Sequence, residues 1–220
     1  MVDGVAWRGS RLVALSGLGY AILVFLGSAV IGGTSGAGRH SLDASEADVG
    51  SYVQDADPTR VWAGEYVAVL GYALFALFAA YAWTAAGRGD VRQRHSAATL
   101  GPAYVYVALA LVGTACLAPV LNRTGDPAAA ARFLDLRSAL FAIAFVFFAI
   151  WLAGVGLRAR ATRMLPRWLG WGAVVIAALQ VVGTAFATID PGFTGVPTFA
   201  GFLWVAIVSV LLARRADAET

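Results

Sequence analysis

Six apolar stretches, each close to the roughly 20 residues an α-helix needs to cross a hydrocarbon layer about 30 Å thick, constrain this chain more than anything else in it. They cover residues 12–31, 61–83, 100–121, 139–157, 168–188 and 196–212 of the 220. Hydrophobic residues make up 60% and charged residues 13%. Soluble domains carry about a quarter charged residues, so lipid is the solvent for most of this chain. The sequence predicts an all-α integral membrane bundle of six transmembrane helices, a single domain over residues 1–220, with no room for a soluble domain.

The basic residues set an orientation. All 16 are arginine, which looks like the codon bias of a GC-rich bacterial genome. With the N-terminus inside, Arg8, Arg11, Arg88, Arg92, Arg94, Arg158, Arg160, Arg163, Arg167, Arg214 and Arg215 fall in the cytoplasm, and Arg39, Arg60, Arg123, Arg132 and Arg137 outside. That bias predicts both termini on the cytoplasmic side of a bacterial inner membrane. It also gives the high pI a topogenic cause, so no nucleic-acid partner is expected. Arg8 and Arg11 before an apolar run imitate a signal peptide, but the run exceeds the usual core of roughly 7 to 15 residues, and an uncleaved first helix is expected.

The longest connection, residues 32–60, holds Ser/Asp starts followed by acidic residues that resemble helix N-caps, which predicts a short surface helix near 44–54. It reads either as a solvated tether or as a lid over an outward-facing pocket. Cys116 is the single cysteine and lies in the third stretch, so no disulfide within the chain and no CxxC site is expected. His40 and His95 fall in loops on opposite sides, which sets metal and triad chemistry aside; no cofactor is expected. Pro166 suits the first turn of the fifth helix, and the basic RARATRMLPRW segment around it, with its tryptophan, suits anionic head groups.

ALALVGTACLA from Ala108 and ALQVVGTAFAT from Ala178 share residues at an offset of 70, which also relates Arg88 to Arg158. Helices two and three then read as repeating in four and five, in parallel because two helices separate the copies. Chance similarity among Ala/Leu/Val/Gly-rich helices is the rival explanation. Close packing in lipid needs small residues, and Ser28 with Gly32, or Gly113 with Thr114, are expected to supply it.

An ionisable side chain inside an apolar stretch is costly enough to raise a functional question, and Glu65 is the one clear case. At a rise of 1.5 Å per residue it lies about one turn below the outer boundary of helix two. Trp62, Tyr66 and Val69 are expected on its face, with Tyr72 at the edge. In an aromatic-lined pocket, desolvation would let Glu65 hold a proton and deliver it to a hydrophobic substrate. The structural alternative pairs it with Arg60 or another rim arginine. Asp190, in TIDPGF at the end of helix five, is a second candidate acid or a plain turn residue. Gln180, Phe186, Phe199 and Trp204 lie on helices reaching the same outer half and either line a pocket or pack. The inner halves offer no chain of buried charges, which counts against a proton-coupled transporter.

LRARATRMLPRWLGWGAVV and ASEADVGSYVQDADPTRVWAGEYVAVLGYALF resemble segments of a broad group of six-span bacterial membrane proteins that brings no assigned activity. Glu65, Asp190 and the aromatics near them give a more distant similarity to integral-membrane terpene cyclases, which typically have seven spans and use acidic residues to protonate an alkene or epoxide. That similarity implies an isoprenoid-like substrate, with Glu65 as proton donor, Asp190 assisting and aromatic faces shielding cationic intermediates. The competing expectations are a non-catalytic membrane scaffold or partner subunit and, last, a small-solute transporter. Membrane lipids are expected neighbours in each case; oligomeric state is left open.

Overall fold

A computed structural model describes residues 10–32, 57–86, 96–122, 126–186 and 192–218. Its helices are α1 (Ser10–Gly32), α2 (Pro58–Ala86), α3 (Ser96–Ala115), α4 (Leu117–Asn122), α5 (Pro127–Ala161), α6 (Arg167–Phe186) and α7 (Gly192–Ala218). Among the described residues six spans are long and apolar enough to cross a membrane, α3 and α4 forming one between them. Helices answer the demand that lipid makes on a backbone, since most N–H and C=O groups find their partners within the segment. The expected surface helix at 44–54, together with Asp190, His40 and His95, lies outside the described residues.

Local chemistry explains the helix ends. Asp57 accepts the Thr59 N–H at 2.9 Å, Asp126 accepts the Ala129 N–H at 3.0 Å, and Pro58 and Pro127 open the helices that follow. The break at Cys116 follows from Pro119, which has no N–H to offer the Ala115 carbonyl four residues back and whose ring crowds it. Helix α5 starts well before residue 139, where the apolar stretch begins. Arg132, Asp135 and Arg137 interrupt the apolar run without interrupting the helix, because none of them breaks helical geometry and the Asp126 cap lies upstream. Pro166 sits just outside α6 rather than in its first turn, and its carbonyl accepts the N–H groups of Leu169 and Gly170.

Sequence neighbours pack side by side, α3 packs on α5, and α1 closes the ring against α7. Matched contacts run in opposite directions along α1 and α2: Gly27 faces Gly64, and Gly17 faces Phe78. Helices α2 and α5 run parallel across the middle, with Glu65 meeting Arg137 near one end and Trp83 meeting Arg158 near the other. Two close crossings hold the ring. A methyl group on Gly27 would fall 2.5 Å from the Gly64 carbonyl oxygen, and one on Gly156 would fall 2.8 Å from that of Gly170. Ser28, expected at such a crossing, instead faces outward and donates to the Val24 carbonyl at 2.8 Å. One position along the helix is 100° of rotation, which is why Gly27 is the inward residue. Gly113 does accommodate a neighbour, the Phe141 ring.

Aromatic rings fill the middle of the ring of helices. Tyr20, Phe75, Tyr106, Phe148 and Trp151 are fully buried, with Phe75 lying 4.7 to 5.7 Å from the other four, centroid to centroid. The Tyr20 and Tyr106 hydroxyls are 2.6 Å apart, one donating to the other. A second device joins α1 to α7. Ser209 donates to the Ala14 carbonyl and accepts the Leu18 N–H at 2.9 Å, the two groups that an undisturbed turn would pair with each other.

Candidate functional site

Glu65 sits in the second turn of α2 and is 2% exposed. Its partner is Arg137 of α5, whose Nη2 donates to Oε1 at 2.5 Å. The other terminal nitrogen donates to the Gly113 carbonyl at 3.3 Å, and the guanidinium lies 5.0 Å from the centre of the Phe141 ring. Gly113 is in the last turn of α3, where helix carbonyls lack partners four residues on. One arginine thus ties α2, α3 and α5 together. Arg60, the nearer candidate in sequence, instead donates to the Val30 carbonyl of α1 at 3.1 Å.

The pair is closed in by apolar side chains. Val61 lies one turn before Glu65, and Leu134 lies one turn before Arg137. Together with Leu117, Val120, Leu121 and Ala130 they form a compact cluster at this end of the bundle. Arg137 itself retains 22% side-chain exposure, so the carboxylate is the more deeply buried partner. An ion pair gathered from water into such a setting loses hydration, and only close geometry with further hydrogen bonds offsets that loss. The carbonyl and ring contacts of Arg137 supply part of the compensation.

The aromatic residues expected around Glu65 divide between two surfaces. Tyr72, two turns along α2, is buried among Tyr20 and Tyr106. Trp62 and Tyr66 are exposed, the latter at 66%, and face the surroundings of the bundle. The shared face read from spacings of three and four is corrected accordingly: Tyr66 follows Glu65 directly and is rotated 100° from it, and the bundle axis lies on the Glu65 side.

The remaining candidates also separate. Gln180 of α6 is buried, and its Oε1 accepts from Thr198 of α7 at 3.0 Å, while its amide nitrogen has no hydrogen-bond partner. Trp204 is buried against Trp151 and donates its indole N–H to the Leu169 carbonyl at 2.9 Å. Phe186 and Phe199 are exposed. Phe199 forms part of a groove of about 250 Å³ between α1 and α7, which Ile22, Phe25, Phe202 and Leu203 also line. Of the two candidate acids only Glu65 is described; Asp190 lies outside the described residues.

Arg137 is one of the arginines read as lying on the outer side, so the expected structural alternative, Glu65 paired with Arg60 or another rim arginine, holds with Arg137 as the partner; the Tyr20–Tyr106 hydroxyl pair was not among the residues expected in this interior. Arg137 reads in sequence as a topogenic loop arginine. The signal that places it on a helix is the Asp126–Pro127 start eleven residues earlier. No family model matches the chain, and no curated protein and no solved structure matches it.

Proposed function

We propose that this chain is a non-catalytic multi-pass membrane bundle, a scaffold or partner subunit whose contacts are made on its outer surface. The observation that supports this reading most is the engagement of Glu65. An ionised carboxylate accepts hydrogen bonds and cannot donate, and Arg137 holds it so at 2.5 Å. In this reading the pair acts as a clamp between α2, α3 and α5, and the rings of the core act as packing. The arginine distribution supports an orientation with both termini in the cytoplasm of a bacterial cell. The 70-residue offset supports a parallel duplication, since Thr114 and Thr184 occupy matching positions and both bury a hydroxyl without a hydrogen-bond partner.

The second reading is a protein that handles an isoprenoid-like molecule, with terpene cyclisation as its most specific form. The groove between α1 and α7 favours it, since an apolar chain lying there would touch Phe25, Phe199 and Phe202. The acid of such a cyclase would have to be Glu65 released from Arg137, or Asp190.

Mass spectrometry of small molecules retained in mild detergent, compared between wild type and Glu65→Gln, separates the two. The scaffold reading expects bulk phospholipid in both samples. A defined isoprenoid held by wild type and lost from a Glu65→Gln variant that remains folded would replace it with the second reading.

A further inference from the structure

At the end of the bundle opposite Glu65, a cavity of about 230 Å³ opens between α2, the turn joining α5 to α6, and α7. Tyr81, Thr162, Arg163, Met164, Leu212 and Arg215 line it. Arginines are frequent here for topogenic reasons, so their number argues nothing. What matters is how each is held. Arg158 lies over the Trp83 ring at 4.1 Å and Arg160 over the Trp171 ring at 4.3 Å, which turns both to aromatic faces. Arg215 donates one terminal nitrogen to the Met164 carbonyl, which fixes its guanidinium at the cavity wall with further N–H donors to offer.

Arg163 supplies the independent observation. Helix α5 ends in a paired motif: Met164 N–H reaches the Ala159 carbonyl at 2.9 Å, and Arg163 N–H reaches the Arg160 carbonyl at 3.2 Å. This ending places Arg163 in the left-handed region at φ 56°, the single non-glycine residue with positive φ among those described. Glycine adopts that conformation freely and is the usual occupant. An arginine there works against the local backbone, and Arg163 lines the same cavity as Arg215.

Depth and charge indicate the ligand. Trp168 and Trp171, 67% and 50% exposed in the first turns of α6, belong to the layer where aromatic side chains meet lipid head groups. The acidic residues with described side chains, Asp57, Glu65, Asp126 and Asp135, lie toward the opposite end; Asp217 and Glu219 follow Arg215 in the sequence. Two arginines lining one cavity at that end bring the forked N–H donors that a phosphate group accepts. We propose that Arg163 and Arg215 form a binding site for a phosphate group, carried either by an anionic phospholipid or by a free phosphate ion.

The test uses full-length protein in a nonionic detergent, with thermal unfolding followed as ligand is added. The probes are dioctanoyl phosphatidylglycerol, dioctanoyl phosphatidylcholine and inorganic phosphate. Wild type is expected to gain thermal stability with phosphatidylglycerol at concentrations where phosphatidylcholine has little effect. Arg163→Gly should unfold at the same or a higher temperature than wild type without ligand, because the strained position is relieved. Its affinity for phosphatidylglycerol should nevertheless be weaker by about fivefold, as expected on losing one head-group arginine. Arg167→Gln, which removes a charge at the same end but outside the cavity lining, should bind within about twofold of wild type. A response to phosphatidylglycerol alone makes the source a lipid; an Arg163-dependent response to inorganic phosphate makes it a free ion. The site is overturned if Arg163→Gly binds as wild type does, if Arg163→Gly and Arg167→Gln weaken binding equally, or if phosphatidylcholine stabilises as strongly as phosphatidylglycerol.

Discussion

At the scale of single residues, Glu65 and Arg137 carry opposite charges but unequal risks. Glu65 is 2% exposed, so removing Arg137 leaves a carboxylate with neither water nor a countercharge, whereas removing Glu65 leaves a guanidinium that is 22% exposed on its side chain and can turn toward the rim. Arg137→Met should therefore destabilise by about 3–5 kcal/mol, the range for breaking a buried pair from one side. Glu65→Gln, which keeps an oxygen able to accept from Arg137, should cost clearly less. The Glu65→Met, Arg137→Met double variant should recover most of the loss, since a buried pair replaced by apolar side chains of similar volume is often neutral. Chemical denaturation in detergent checks the order of the three; equal losses in both single variants would remove the clamp. Ser209 allows a smaller test. Ser209→Ala takes a hydroxyl from between the Ala14 carbonyl and the Leu18 N–H, leaving α1 to close its own turn. The loss should be about 0.6 kcal/mol and under about 1.7, the range for hydrogen bonds between membrane helices.

At the scale of the helices, small residues decide how closely two backbones meet. Gly156 faces both the Gly170 carbonyl and the Ala173 side chain, so Gly156→Val forces α5 and α6 apart and should cost about 1–3 kcal/mol. Gly172→Val on the same helix pair should be nearly neutral, because nothing lies within 4 Å of the position a side chain would take there. Thermal unfolding of the two variants side by side distinguishes a crossing from a general intolerance of bulk in α5 and α6. The spans themselves were legible because apolar length alone reports them. Their ends were less so: α5 begins at Pro127, before charged residues that hydropathy counts against a span but helical geometry accepts. The inward face of each helix was also hidden. Spacings of three and four group residues that lie near one another without saying where the bundle axis falls. Glu65 and Tyr66 therefore read as neighbours while pointing to core and surroundings. A soluble helix would have marked its buried face by polarity, but here lipid and core are equally apolar, and the pattern carries little of that signal. Arg137 was obscured for a related reason, since an arginine near a span end is first explained by topology.

At the scale of the whole molecule, charge is divided between the two ends, and the division is sharper than the arginine count conveys. Of the five arginines on the expected outer side, Arg137 is neutralised by Glu65, while Arg60 keeps its charge against the neutral Val30 carbonyl. At the other end Arg158 and Arg160 lie on tryptophan rings, which leaves their charge in place at the membrane surface. Retained positive charge is what holds a segment in the cytoplasm. The six spans among the described residues are an even number, which places the two ends of the bundle's chain on one side, and the proposed orientation makes that side the cytoplasm. A fluorescent protein fused after Thr220 should fold and fluoresce, while alkaline phosphatase fused at the same place should remain inactive. Single cysteines in a Cys116→Ala background refine the assignment. Thr124→Cys, between α4 and α5, should react with a membrane-impermeant maleimide in intact cells. Gly89→Cys, between α2 and α3, should react only after the membrane is opened. Cys116 is buried, so its replacement by a small residue should leave the bundle intact. Labelling in the opposite order would place the arginine-rich end outside the cell, where a head-group site would face the outer leaflet and the charge rule would have to yield to some stronger constraint on insertion.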